Sequence, residues 1–265
     1  MQSCALASAA LLYLALGSLE DMNQPFQMLP VRRVQEDRES PADRHVWPAT
    51  IPAVRQILDD GLDLSQLTIF VGQNGAGKST LVEAIAEAFG LNVEGGTQNS
   101  RHQRYDNESA LGEHLQLVRG AGASGAGVFL RAETMHGHFA YLEDLDREDQ
   151  KKRGLHNLQS HGESFIEFFT SRSGVNGLWV FDEAESALSF EGSLTLLSHI
   201  SDLLATGSQV VLSTHSPILA SLPGADIYEV GQWGLRRCSY DELDMVRNWR
   251  LFLDAPGRFL RHFEH

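Results

Sequence analysis

The chain has 265 residues, 42% of them hydrophobic, which suffices for one large domain or two small domains with a packed core. Its 35 acidic and 21 basic side chains give a net charge of −14, which argues against a broad electrostatic surface for nucleic acid but not against a local basic groove. Cys4 and Cys238 are the only cysteines, so a disulfide framework and a cysteine zinc site are excluded.

The N-terminal residues contain a short apolar run, Ala5 to Leu16, which is too short to span a bilayer. Its length is similar to that of the apolar part of a signal peptide. However, no lysine or arginine precedes Arg32, so the basic start of such a peptide is missing. We expect instead an appended helix, or a start codon set too early, with Met22 or Met28 as the true start.

Residues 30–52 combine several prolines with many charged side chains. Proline disfavours a continuous helix or a central strand, so this stretch is predicted to be an irregular lead-in. We therefore expect residues 1–45 to be a poorly ordered N-terminal extension and residues 46–265 to form the main domain.

A glycine-rich loop follows the first clear strand pattern. The apolar run 67–71 predicts a buried strand, and residues 80–89 carry apolar side chains at helical spacing, with Gly90 where a helix C-cap is expected. Between them, residues 72–79 match the phosphate-binding pattern G-x-x-x-x-G-K-[ST] at every fixed position. Glycines let the backbone approach a polyphosphate, and amides at a helix N-terminus attract an anion. The loop residues predicted to bind nucleotide are Gly72, Gln73, Asn74, Gly75, Ala76, Gly77, Lys78, Ser79 and Thr80.

Two residues of this loop have predicted chemical roles. Lys78 is expected to reach the β- and γ-phosphates, and the Ser79 hydroxyl to ligate Mg²⁺. The alternative, a glycine-rich turn without a ligand, is disfavoured because strand, loop and helix follow one another as a phosphate site requires. Trp47 is a candidate for stacking on a base, with a position in the core as the alternative.

A second apolar run, residues 178–181, ends in the two acids Asp182 and Glu183. A fully apolar strand suits the centre of a parallel sheet, and ligands bind such sheets at the carboxyl ends of their strands. Asp182 is predicted to hold Mg²⁺ through water, and Glu183 to polarise the attacking water as a general base or an orienting acceptor. A strand end followed by a solvated acidic turn is the alternative.

A third apolar run, residues 209–214, is followed by His215, which is expected at the same edge of the sheet. One predicted crossover helix (192–205) separates this run from Asp182. A histidine there could contact the γ-phosphate and sense its loss. A lone histidine is more often structural, but its place at the presumed ligand edge favours the phosphate contact.

Together, these segments resemble the ABC-type ATPases. The matching segments are, in chain order, the Walker A loop (72–79), a degenerate signature (160–163), the Walker B strand (178–183), the D-loop (184–189) and the switch-histidine motif (213–216). Within that group the chain is similar to small stand-alone predicted ATPases of bacteria. The shared sequence motifs include Glu94-Gly95-Gly96, Phe129 to Glu133, Ser160 to Ser164 and Thr214 to Leu219.

The resemblance covers roughly residues 46–263 and implies an α/β fold: a P-loop NTPase of the ABC-ATPase type, with a mainly parallel central sheet flanked by helices. We expect a small helical or irregular lobe inserted at about residues 91–160. The tail 240–265 is predicted to form amphipathic helices broken at Pro256 and Gly257. This tail is expected to pack on the core, with a partner-docking surface as the alternative.

The resemblance also implies the activity, a soluble and cytoplasmic ATPase with ATP and Mg²⁺ as cofactors. It implies an ATP-dependent homodimer in which Ser160 and Gly162 of one subunit complete the nucleotide site of the other. A protein or nucleic-acid partner is left open, and a membrane partner is disfavoured.

Site roles follow from the same resemblance. Glu133 stands where ABC ATPases carry a glutamine, so its assignment to Mg²⁺ departs from the family pattern. The predicted metal ligands are Ser79, Asp182 and Glu133. The predicted catalytic residues are Glu183, His215 and Lys78.

Two alternatives to a free-standing ATPase stay open. An ATP-binding subunit of an ABC transporter would need a separate membrane partner. A slow ATP-gated switch acting on a protein or nucleic-acid partner is motivated by Glu133 and by His161 in place of a signature glycine. A coiled-coil arm is not expected, because Lys78 and Ser160 are only 82 residues apart and no heptads are sustained between them.

Overall fold

The structure is a computed structural model that describes residues 28–91, 110–131, 175–186 and 188–261. The strands are β1 (Arg33–Glu36), β2 (Leu62–Asp63), β3 (Leu67–Gly72), β4 (Leu115–Val118), β5 (Gly127–Arg131), β6 (Leu178–Asp182), β7 (Gln209–Thr214), β8 (Asp226–Gly231) and β9 (Gly234–Cys238). The α-helices are α1 (Pro52–Asp60), α2 (Lys78–Phe89), α3 (Phe190–Ala205), α4 (Asp244–Asp254) and α5 (Pro256–Leu260). Short 3₁₀ helices lie at Ala110–His114, Leu219–Ser221 and Tyr240–Glu242.

The larger sheet has the strand order β5-β6-β7-β3-β8-β9. Its strands are parallel except for β9, which pairs antiparallel with β8 at the edge. Strand β3 is central, with Ile69 opposite Leu212 of β7 and Ile227 of β8. Helices cover this sheet on both faces, which is why its inner strands are continuous apolar runs. The predicted fold class, a mainly parallel sheet flanked by helices, is confirmed.

Two separate sets of core side chains lie on the two faces of the larger sheet. In β6, Leu178 and Val180 point into the core shared with α1, α2 and the smaller sheet. Trp179 and Phe181 point the other way, into the core shared with α3 and the start of α4. This alternation holds the strand between two apolar layers and fixes its register, because a shift by one residue would exchange the faces.

The smaller sheet is antiparallel, with β1 between β2 and β4. We expected this part of the lead-in to be irregular, and that expectation was wrong for Arg33–Glu36. The segment contains no proline, and its Val34 is fully buried opposite Leu62 and Leu117. Part of the predicted N-terminal extension therefore packs on the main domain, although the domain boundary itself stays a prediction.

The tail forms two helices, α4 and α5, but the break lies at Ala255, because the proline predicted to break the tail, Pro256, begins α5 together with Gly257. Its first turn packs on the core through the buried Leu243 and Val246, whereas Trp249 and Leu253 further along are exposed. Among the helices of the described residues, none is both long and apolar enough to cross a membrane.

Candidate nucleotide site

The loop between β3 and α2 is shaped by glycines. Gly75 and Gly77 adopt left-handed backbone conformations, with φ of 77° and 99°. A Cβ at Gly77 would also lie only 2.7 Å from Cγ2 of Ile51, so a side chain there would be both strained and crowded. At Gly75 the space beside the backbone is open, since no heavy atom lies within 4 Å of the Cβ position.

The N-terminus of α2 is left open for an anion. No side chain caps it, and its first turn contains no acidic residue. The first amide groups of a helix have no acceptor within the helix, and the helix dipole makes this end positive. Gln73, Asn74 and Gly75 in the loop are exposed to solvent, Ala76 and Gly77 are half-buried, and so is Thr80 in the first turn of α2. The loop therefore fits a polyphosphate.

Lys78 is held at this loop by three contacts although its side chain is almost completely buried. Its Nζ donates to the carbonyl oxygen of Gln73 at 3.2 Å. The same Nζ lies 3.4 Å from Oε1 of Glu183 and 2.7 Å from Nε2 of His215. Burial lowers the pKa of Lys78 below its usual value, and the nearby Glu183 carboxylate only partly opposes this effect.

Glu183 and His215 meet at the adjacent ends of β6 and β7. Nε2 of His215 lies 2.9 Å from Oε1 of Glu183, so the same ring nitrogen contacts both Lys78 and Glu183. A ring nitrogen either donates or accepts, and it cannot satisfy both partners at once. Glu183 has φ of 49°, and its amide donates to the carbonyl oxygen of Ser213. Such a backbone is uncommon for glutamate and is typical of functional sites.

Asp182 lies beside the predicted magnesium ligand Ser79. It is buried, and it accepts hydrogen bonds from the hydroxyls of Ser213 (2.5 Å) and Ser79. Burial raises the pKa of Asp182, while these two hydroxyls and Arg131 act in the opposite direction. Within the described ranges, no cluster of three or more His, Cys, Asp or Glu side chains is placed to hold a metal. A hydroxyl and one carboxylate are nevertheless a suitable set for Mg²⁺, which keeps water and phosphate ligands.

Two residues near this site were not predicted from the sequence. Nη2 of Arg131, at the end of β5, lies 2.7 Å from Oε1 of Glu83 on α2, and its Nε lies 3.7 Å from Oδ2 of Asp182. Glu185 accepts hydrogen bonds from Thr214 and His215, and burial raises its pKa. Both residues lie in segments that carry the family resemblance, but their roles depend on contacts between neighbouring strand ends, which spacing along the chain does not reveal.

The structure brings together Lys78, Glu183 and His215 and places Asp182 beside Ser79. The predicted signature residues Ser160 and Gly162 and the predicted metal ligand Glu133 lie outside the described residues. Trp47 is 55% exposed, so its position in the core is excluded, and stacking on a base stays a prediction.

Comparison with protein families gives one match on the segment that carries the loop. Residues 51–123 match the model of the family described as AAA domain. The matched segment is therefore similar to an AAA domain. The match spans α1, the phosphate loop and α2, so the recognised P-loop ATPase resemblance is confirmed where its first motif lies.

Comparison with solved structures adds two distant likenesses for this P-loop protein. The SMC head domain from Thermotoga maritima is 16% identical with a TM-score of 0.41, covering 68% of this chain and 93% of the other. An ABC transporter described as of the metal-chelate type, in an inward-facing conformation, is 14% identical with a TM-score of 0.35, covering 73% and 82%. Similarity at this level is too low for a functional inference. No curated protein matches the chain.

Proposed function

We propose that the protein is a soluble, cytoplasmic ATPase that binds Mg-ATP at the loop before α2 and hydrolyses its terminal phosphoanhydride bond. The observation that carries this proposal is the contact of Lys78, at the start of α2, with both Glu183 and His215, which follow β6 and β7. Ser79 and Asp182 lie next to this point and are already hydrogen-bonded to each other.

The charge of Lys78 explains why this arrangement favours a phosphate. Its ammonium group is buried, and burial disfavours its charged form. Phosphate oxygens at the loop would supply the negative charge that a buried ammonium requires. Mg²⁺, held through Ser79 and Asp182, supplies further neutralisation of the charge that develops during phosphoryl transfer.

Glu183 is the candidate for orienting the attacking water. Its side chain is one-third exposed, and its carboxylate oxygen lies within hydrogen-bond distance of His215. A carboxylate at this position can accept a proton or hold a water molecule in line with the terminal phosphate. His215 then has a phosphate oxygen as a third possible partner, which would free Glu183 from the ring nitrogen.

The first test is Glu183→Gln, which preserves shape and removes the charge. We expect ATP binding to stay within about threefold of the wild type and hydrolysis to fall by about 10²- to 10⁴-fold, the range for loss of a general base. Calorimetry with Mg-ATP and a phosphate-release assay measure the two quantities. An unchanged rate would remove Glu183 from the proposed role. Glu191→Gln, at an exposed site in the first turn of α3, is the matched control.

Dimerisation belongs to the same proposal. ATP would lie between two copies, with Ser160 and Gly162 of one copy completing the site of the other. Residues 73–75 are exposed, which supports this arrangement because a second chain can reach the loop. Light scattering on the Glu183→Gln protein should show a monomer without nucleotide and a dimer with Mg-ATP. A mass unaffected by ATP would contradict the homodimer and leave the ATPase proposal standing.

A slow ATP-gated switch is the second candidate. It is favoured by the mutual contacts of Lys78, Glu183 and His215, which must separate before Glu183 can orient water. A basal rate that is low and rises when a protein or nucleic-acid partner is added would support the switch. A high rate without any partner would exclude it.

A further inference from the structure

Glu185 is a buried acid beside the site, two residues after Glu183, with no role in the proposed chemistry. Its Oε1 accepts two hydrogen bonds, from the hydroxyl of Thr214 at 2.5 Å and from the backbone amide of His215 at 2.8 Å. Both donors lie at the end of β7, whereas Glu185 follows β6. The side chain therefore bridges the ends of two neighbouring parallel strands.

The bridge reaches the same histidine that Glu183 contacts. Glu183 meets the ring of His215 at Nε2, and Glu185 meets its backbone nitrogen. Glu183 thus contacts the ring of His215, and Glu185 contacts its backbone. A ring whose backbone is fixed in this way can keep Nε2 within 3 Å of both Lys78 and Glu183.

A side chain that served packing alone would be apolar at this buried position. The other oxygen, Oε2, is buried and accepts no hydrogen bond from any of the described residues. Burying a carboxylate oxygen without a partner costs free energy, so the residue is unfavourable for stability alone. The two hydrogen bonds that Glu185 does accept both come from the end of β7, which indicates a function there.

We propose that Glu185 is a positioning residue that fixes the backbone of His215 and thereby places its ring between Lys78 and Glu183. This inference rests on the proposed ATPase function, in which His215 contacts the terminal phosphate. Glu185 itself touches neither the substrate nor the attacking water. It acts through His215 alone.

The first experiment compares Glu185→Ala with Glu185→Gln. The alanine variant removes the acceptor of both hydrogen bonds, so kcat should fall by about 10- to 100-fold, the cost of a small misplacement of a reacting group. KM for Mg-ATP should change by less than about threefold, because the phosphate loop is untouched. The glutamine variant keeps a carbonyl oxygen that accepts the same two bonds, so it should recover most of kcat. A glutamine variant as slow as the alanine variant would overturn the proposal, because the charge would then be the active feature.

The second experiment combines Glu185→Ala with His215→Ala. If Glu185 acts only through His215, the double variant should be as slow as His215→Ala alone, and the two effects should not multiply. Multiplying effects would show an independent role for Glu185 and would contradict the inference. Thr214→Val, which removes one of the two donors and keeps the His215 amide, should show a smaller loss than Glu185→Ala.

A third readout needs no ATPase activity. The side-chain NMR signals of His215 can be assigned by their loss in His215→Ala. Glu185→Ala should shift them and Glu185→Gln should leave them close to the wild type. If the wild-type protein hydrolyses no ATP, the proposed function fails, and this spectrum still decides whether Glu185 positions the ring. Signals of His215 that are the same in all Glu185 variants would overturn the positioning role.

Discussion

Two clusters among the described residues, each built on one cation that contacts several partners, lie in opposite electrostatic situations. At the larger sheet, Lys78 meets Glu183 and His215. Beside the smaller sheet, Arg44 lies 2.5 Å from Oε1 of Glu36 and 2.9 Å from Oδ1 of Asp59.

The difference lies in how each charge is balanced. The hydrogen bond between Arg44 and Glu36 raises the pKa of Arg44 and lowers the pKa of Glu36, so folding favours both charged forms. The pKa of Lys78 is lowered, because its burial outweighs the nearby Glu183 carboxylate. A charge that the folded protein does not fully satisfy is typical of a site prepared for a ligand, whereas a satisfied pair is typical of structure.

The largest predicted effect tests this contrast directly. Lys78→Met removes the buried ammonium group and keeps an apolar stem, so affinity for Mg-ATP should fall by about 100-fold, from the loss of charge-assisted hydrogen bonds to phosphate. The free energy of unfolding without nucleotide should not fall, because the buried charge is a cost to folding. Calorimetry and denaturant titration measure these two quantities.

Arg44→Met is the matched control for Lys78→Met, since it makes the same change of charge in the other cluster. It should leave ATP affinity within about twofold of the wild type and lower the free energy of unfolding by about 1 kcal/mol. If both variants lost ATP affinity equally, the distinction between the two clusters would fail.

The next effect in size concerns Asp182. Its pKa is raised by burial, so the folded state binds a proton more tightly than the unfolded state and is penalised above the ordinary aspartate pKa. Asp182→Asn should therefore increase the free energy of unfolding at pH 7. The gain should shrink as the pH falls through the raised pKa and vanish below the ordinary aspartate value. A gain that is equal at pH 7 and pH 3 would rule out this cause. In the same variant, ATP hydrolysis that requires Mg²⁺ should be lost, because Asp182 is a proposed Mg²⁺ ligand.

Much of the phosphate-site half of the molecule could be predicted from the sequence, because local patterns determine it. The apolar runs that became β3, β6 and β7 end at the polar residues that meet in the site. Gly77 and Gly90 bound the helix between them through their left-handed conformations. Short-range apolar patterns suffice for strands that are buried on both faces.

The rest depended on contacts between distant segments. Strand β1 pairs with β4, with Gln35 opposite Gln116, 81 residues away, and the three charged or polar residues around Val34 gave no local sign of a central strand. The hairpin β8-β9 carries one local sign, the left-handed turn glycine Gly234, whereas the buried Glu229 interrupts the apolar pattern of β8. The role of Glu185 depends on the neighbourhood of β6 and β7, which no spacing along the chain reveals.

The smallest predicted effect concerns Glu36 in the satisfied cluster. Glu36→Gln removes the charge that Arg44 contacts and keeps an oxygen for the amide of Ala42, which donates to Glu36 at 3.0 Å. The folded-state pKa of Glu36 is lowered chiefly by its hydrogen bond to Arg44, so its contribution is present above the ordinary glutamate pKa and is lost as pH falls through the lowered value. At pH 7 the variant should be less stable by about 0.5 to 1 kcal/mol, the upper range for a partly exposed ion pair, and at pH 3 the difference should be smaller. Denaturant titrations at both pH values measure it, and ATP hydrolysis at pH 7 should not change. A destabilisation independent of pH would mean that packing around Arg44, rather than its charge pairing, separates this cluster from the one at Lys78.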